Sequence, residues 1–178
     1  MSRPLYDTEH TQSQFFFKEQ SDYYPPEDAP ILVALDLQTP ANVGSFIRLA
    51  GNMGCKKLLF TGKQADYNTA KIKRTATTAF NQVDWQFVEH RQWHQHIPED
   101  YQIVAVETTA EATSVFSADL KGKFAFVLGN ERYGIDKESL EHCAGHLYIP
   151  LPGKVKSLNV VQAATVVLFE WLRANLHK

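Results

Sequence analysis

Three short stretches of this 178-residue chain carry side chains that could do chemistry. "QTPANVGSFIR" at 38–48 offers the Asn42 amide and the Arg48 guanidinium. "GNERYGID" at 129–136 offers Asn130, Glu131 and Arg132, and "PLPGKVKSLN" at 150–159 offers Lys154, Lys156, Ser157 and Asn159. Amides and hydroxyls orient a ligand by donating and accepting hydrogen bonds, whereas a guanidinium holds a phosphate or a developing negative oxygen. Each stretch also contains glycine or proline beside these groups, a pattern suited to shaped loops on a rigid scaffold. Gly129 lets a ligand approach the backbone, although a tight turn capped by a surface glutamate accounts equally well for that loop taken alone.

Other chemistries find less support. Gly129 and Gly134 lie five residues apart with no glycine between them, and the chain has no GxxxxGK[ST], which disfavours dinucleotide and P-loop sites. His90, His94 and His96 cluster, as do His142, Cys143 and His146, yet neither group supplies four well-spaced ligands, so polar surface is expected and no metal. Cys55 and Cys143 each stand alone, which suits a reducing cytoplasm. The first twenty residues have too short an apolar run for a signal peptide or a membrane span. A net charge of -2 excludes a globally basic nucleic-acid binder, leaving a local patch at Lys71, Lys73 and Arg74, joined by Arg132 and by Lys154 and Lys156.

The elements that must position these groups alternate. "ILVALD" reads as a buried parallel strand, and "TPANVGSFIRLAGNMG" as a helix with Thr39 as N-cap, Pro40 at its first position and Gly54 as its stop. The edge carrying Gly44, Arg48 and Gly51 has so little bulk that an extended polyanion could come close there. "KKLLF", "VDWQFV", "QIVAVE", "FAFVL" and "HLYI" read as strands. "NTAKIKRTATTAF", "RQWHQH", "DKESLEHC" (with Asp136 as cap) and "NVVQAATVVLFEWLR" read as helices. The pattern predicts one α/β domain over 31–178, a mainly parallel sheet with helices on both faces, preceded by an arm or linker at 1–30. The three chemical stretches then follow strands, where parallel sheets place their ligands.

In order, spacing and residue type these stretches resemble the three motifs of the SpoU-type, TrmH-like RNA ribose 2′-O-methyltransferases of the SPOUT superfamily. Asn42, Gly44 and Arg48 match the first motif, "GNERYGI" the second and "IPLPGKVKSLNV" the third, and the likeness runs from Ile31 to Arg173. The resemblance implies a C-terminal deep trefoil knot and an S-adenosylmethionine site within it, contacted by Gly129, Ile149 and Leu158, with Thr108 or Glu107 closing the adenine side. It implies catalytic and substrate-positioning roles for Asn42, Arg48, Glu131, Ser157 and Asn159. It also implies a homodimer through the last helix, with Val160, Val161, Ala164, Val167, Leu168, Trp171 and Leu172 divided between the core and the partner. The family often has Met, Gly or Ser where Thr77 and Thr78 stand. The expected substrate is structured RNA, tRNA ahead of rRNA because no separate N-terminal RNA-binding domain is seen. The alternative is a knotted RNA-binding protein that has lost catalysis.

Overall fold

The computed structural model describes residues 26–176, so the expected N-terminal arm lies outside the described residues up to residue 25. Among the described residues seven strands form one sheet: β1 (Ile31–Ala34), β2 (Lys57–Thr61), β3 (Trp85–Val88), β4 (Gln102–Val106), β5 (Thr113–Ser114), β6 (Phe124–Leu128) and β7 (Gly145–Tyr148). Their order is β3-β2-β1-β6-β4-β7-β5, and every neighbouring pair is parallel. The central strands β1 and β6 are buried at every position, which is why "ILVA" and "FAFVL" are continuous apolar runs rather than alternating ones. The two-residue strand β5, not foreseen, pairs with β7 at the edge; its "TS" is too short to carry any periodicity.

Among the described residues four α-helices flank the sheet: α1 (Pro40–Asn52), α2 (Thr69–Ala76), α3 (Lys137–Glu141) and α4 (Val160–Asn175). One core joins Leu32 and Phe126 to Phe46 of α1, Ile72 of α2 and Leu168 and Trp171 of α4. The opposite face joins Val33 and Val127 to Trp93 of the 3₁₀ helix His90–His96 and to Ile135 before α3. Thr39 caps α1 through its hydroxyl, which accepts from the Asn42 N–H, and Gly54 follows the helix end at φ 61, as the sequence signals predict.

One expectation is corrected. A Cβ on Gly44 would lie 2.7 Å from both the Ile72 carbonyl oxygen and Thr75 Cβ, and one on Gly51 would lie 3.0 Å from Ala79 Cβ. The bare edge of α1 therefore admits α2 and the following 3₁₀ turn, not a polyanion. In α4, Val160, Ala164, Val167, Leu168 and Trp171 are buried within their own chain. Only Val161 and Leu172 of the seven remain half-buried, on the side that also carries the exposed Phe169.

Candidate active site

A cleft of about 320 Å³ opens at the carboxyl ends of β4, β6 and β7, walled by Lys156–Val160. This is where the sheet's strand order departs from chain order, the usual crevice of an open parallel sheet. Glu107, Thr108, Gly129, Ile149 and Leu158 all line it, together with Glu131, Ser157 and Asn159.

The loop after β6 is closed on itself. Asn130 and Gly134 exchange backbone hydrogen bonds of 3.0 and 2.9 Å, and Asn130 Oδ1 accepts from the N–H groups of Arg132 and Tyr133. A Cβ on Gly129 would lie 2.2 Å from the Gly134 carbonyl carbon. Closure of this loop thus requires the glycine by itself, and the plainer reading of that position is sufficient. Gly134, at φ 70, sits against Glu107, where a Cβ would come within 2.5 Å of Oε2. Glu107 itself accepts from the Thr108 and Ile135 N–H groups at 2.8 and 3.1 Å, tying the end of β4 to this loop.

Glu131 joins the second stretch to the first. Its carboxylate accepts from the Gln38 N–H at 2.8 Å and from Asn42 Nδ2 at 2.7 Å. Asn42 Oδ1 in turn accepts from Asn159 Nδ2 at 3.2 Å, so a directed chain of hydrogen bonds crosses all three loops. Asn159 also begins α4: its Oδ1 accepts from the Val161 N–H and its own N–H donates to Gln162 Oε1, a reciprocal cap. One side chain therefore fixes both the helix start and the Asn42 amide. Lys156 Nζ donates to the Leu151 carbonyl at 2.7 Å and braces the third loop across its width.

A second brace holds the first loop from behind. His90 Nδ1 lies 2.7 Å from Asp36 Oδ2, and His90 Nε2 lies 3.0 Å from Asp136 Oδ2. Asp36 also accepts from the Thr61 hydroxyl and, at φ 44, bends the chain into the loop. Burial of Asp136 raises its pKa, but the Ser139 N–H, the Ser139 hydroxyl and His90 together outweigh it and hold the carboxyl below its ordinary value. Tyr67 donates to the Leu37 carbonyl; burial first, then Asp36, Glu131 and Asp66, push its hydroxyl up, so it stays a neutral donor. Local sequence gives no sign of this brace, since His90 is 54 and 46 residues from its two partners; only Asp36, closing "ILVALD", was visible as a strand-end carboxylate.

Arg48 is exposed and does not line the cleft. It lies six residues beyond Asn42 on α1, about 9 Å along the axis and about 120° around it. Within one chain the structure therefore does not bring it to the other four residues. Lys71, Lys73 and Arg74 are exposed on α2, with Lys73 Nζ 5.0 Å from the centre of the Phe80 ring, and Arg132 is exposed at the tip of the second loop. Of the remaining histidines, His94 and His142 stack at 3.7 Å and His146 Nδ1 pairs with the Thr109 hydroxyl at 2.8 Å. Burial pushes both cysteine thiols up to about 12, which leaves them protonated and unreactive.

The family model described as the SpoU rRNA Methylase family matches residues 29–169. A 23S rRNA (guanosine-2′-O-)-methyltransferase RlmB of Xylella fastidiosa is 35% identical over 146 residues, covering 80% of this chain and 58% of its own. The chain thus spans under two thirds of that relative. A solved RNA 2′-O ribose methyltransferase superposes with a TM-score of 0.71 at 28% identity, over 86% of this chain and 59% of its own. A second structure, of a protein studied for 2-OH methylation of C/U34 on tRNA, gives a TM-score of 0.74 at 25% identity, over 84% of this chain and 97% of its own.

Proposed function

The chain belongs to the SpoU rRNA Methylase family, and we propose that it methylates the 2′-hydroxyl of a ribose in RNA, using S-adenosylmethionine. The observation that carries this reading is the hydrogen-bonded line Asn159–Asn42–Glu131, which joins three loops at the mouth of one cleft. The cleft suits the cofactor in size and lining. Its volume falls at the lower end of the usual ligand range, its walls mix apolar Leu128, Ile149 and Leu158 with backbone groups, and Glu107 and Thr108 supply polar contacts on one side. When bound there, S-adenosylmethionine supplies a methyl group as an electrophilic sulfonium.

The chain's own residues do the rest. Asn42 and Asn159 have fixed amide orientations and hold the ribose, with Ser157 beside them on the wall. Glu131 keeps Asn42 in place. Arg48, always charged, makes a poor base and serves as the group that holds the adjoining phosphate and stabilises the developing alkoxide. Since Arg48 lies outside the cleft of its own chain, the working unit is a homodimer through α4. Support comes from the outer side of that helix, where Phe169 is 56% exposed. The C-terminal segment is taken to be threaded as a trefoil knot, an exception to the general absence of knots. Lys71, Lys73, Arg74 and Arg132 form the path for the RNA, in a cytoplasmic enzyme with its domain at 31–178.

Among substrates, the sequence relatives favour rRNA over tRNA, reversing the preference drawn from chain organisation. The test is incubation of the protein with labelled S-adenosylmethionine and with separated rRNA and tRNA from a strain lacking the gene, followed by mapping of the methylated ribose. Label in rRNA at one ribose is the expected result; RNA binding without any transfer would leave a knotted RNA-binding protein instead.

A further inference from the structure

Tyr133 is 74% exposed, yet it stands on a loop held at both ends by hydrogen bonds. On one side Glu131 is held by Gln38 and Asn42. On the other, Gly134 pairs with Asn130 and Ile135 is buried with its N–H on Glu107. The Tyr133 N–H itself donates to Asn130 Oδ1 at 3.1 Å. The backbone is therefore fixed while the ring belongs to neither core cluster, and among the described residues its one ring contact is the Arg132 guanidinium, 5.4 Å from the ring centre. Exposing an aromatic face forgoes a large apolar gain, and no contact among the described residues requires it here.

We infer that Tyr133 stacks on an unpaired nucleobase of the substrate RNA, adjacent to the ribose held at Asn42 and Glu131. This deepens the proposed function and rests on it. Tyr133 is two residues from Glu131, at most about 7 Å along the chain, within the reach of a single nucleotide. A rigid ring beside a guanidinium is the arrangement on which single-stranded bases stack, the cation adding to the π contact and meeting the backbone charge. Bases within an A-form duplex are already stacked and offer no free face, so the target nucleotide lies in a loop or bulge. Neither Arg132 nor Tyr133 lines the cleft, which separates base recognition from cofactor binding.

The experiment measures filter binding to unmodified rRNA and to a short oligoadenylate, alone and paired with oligouridylate, for Tyr133→Ala, Phe, Trp and Leu. It is accompanied by kinetics, cofactor calorimetry and sedimentation. Tyr133→Ala should weaken binding to rRNA and to single-stranded oligoadenylate roughly tenfold and raise the RNA KM in step, while duplex binding, cofactor affinity and sedimentation stay as in the wild type. Phe and Trp should restore binding and Leu should not. The inference is overturned if Tyr133→Ala binds single strands normally, if Leu restores as well as Phe, or if the variant changes its association state, since the ring would then pack between copies. Absence of methyl transfer by the wild type would refute the reaction while leaving the binding comparison to judge Tyr133.

Discussion

Asn159 and Arg48 are both expected to be indispensable for methyl transfer, but for reasons that separate in measurement. Asn159 caps α4 and orients Asn42, so Asn159→Ala should lose most activity and also about 1 kcal/mol of stability, seen by denaturant melting. Arg48 is exposed and is part of neither the cap nor the cleft lining, so Arg48→Ala should lose activity with unchanged stability and cofactor affinity. Calorimetry showing lost cofactor binding would place Arg48 in the wrong role. Asp136 carries a pH signature. Its carboxyl is held below the ordinary 3.8, so its contribution is complete above that value and is lost as pH falls through the lower folded one. Melts taken from neutral pH downward should show a loss of stability below about pH 4 that is smaller in Asp136→Asn than in the wild type. Asn42, Glu131 and Asn159 stood out in the sequence through the resemblance of their motifs and not through residue type alone, since amides after strands also serve structure, as Asn159 does in capping α4 and Asn130 in closing its loop. His90 was not legible, since its role depends on two carboxylates that only the sheet brings together.

At the scale of elements, the strands were readable because a parallel sheet buried on both faces demands unbroken apolar runs, and β1 and β6 supply them. Helix packing was less readable, because glycine in a helix has opposite meanings. Gly44 and Gly51 looked like an opening for a ligand, yet they are where α2 and the turn after it press onto α1. That same turn explains why "NTAKIKRTATTAF" yields an α-helix only to Ala76. Thr77 adopts φ 56, ψ -134, a conformation strained for a β-branched residue, and the chain continues as a 3₁₀ helix. Strain of this kind costs about 1–3 kcal/mol, of which the added freedom of glycine in the unfolded chain takes back about 1 kcal/mol. Thr77→Gly should therefore stabilise the protein by about 1 kcal/mol, raising Tm by about 2–4 °C. A lower Tm would mean that the Thr77 side chain contributes packing that outweighs its backbone.

For the whole molecule the decisive element is α4, apolar on almost every side without being long enough to cross a membrane; none of the described helices is. Its five fully buried residues face the sheet and α1. Val161, Thr165, Phe169 and Leu172 fall on the other side at helical spacing, with Phe169 56% and the following Leu176 43% exposed. The sequence could show that α4 had more apolar surface than one contact uses, but not which side faced out, because that depends on the direction in which α4 returns to the sheet. The structure now tells the two sides apart. Leu168 is 0% exposed, so Leu168→Glu places a carboxylate in the core with no cation to pair with it, and the protein should fail to fold. Val161 lies at the margin of the exposed side, so Val161→Glu should leave a folded monomer with a melting temperature near that of an isolated subunit. If Arg48 acts on the partner's cleft, that monomer should bind S-adenosylmethionine and lose methyl transfer together. Sedimentation of the wild type as a monomer at micromolar concentration, or an active Val161→Glu monomer, would confine the reaction to one chain and require Arg48 to reach its own cleft by a movement of α1.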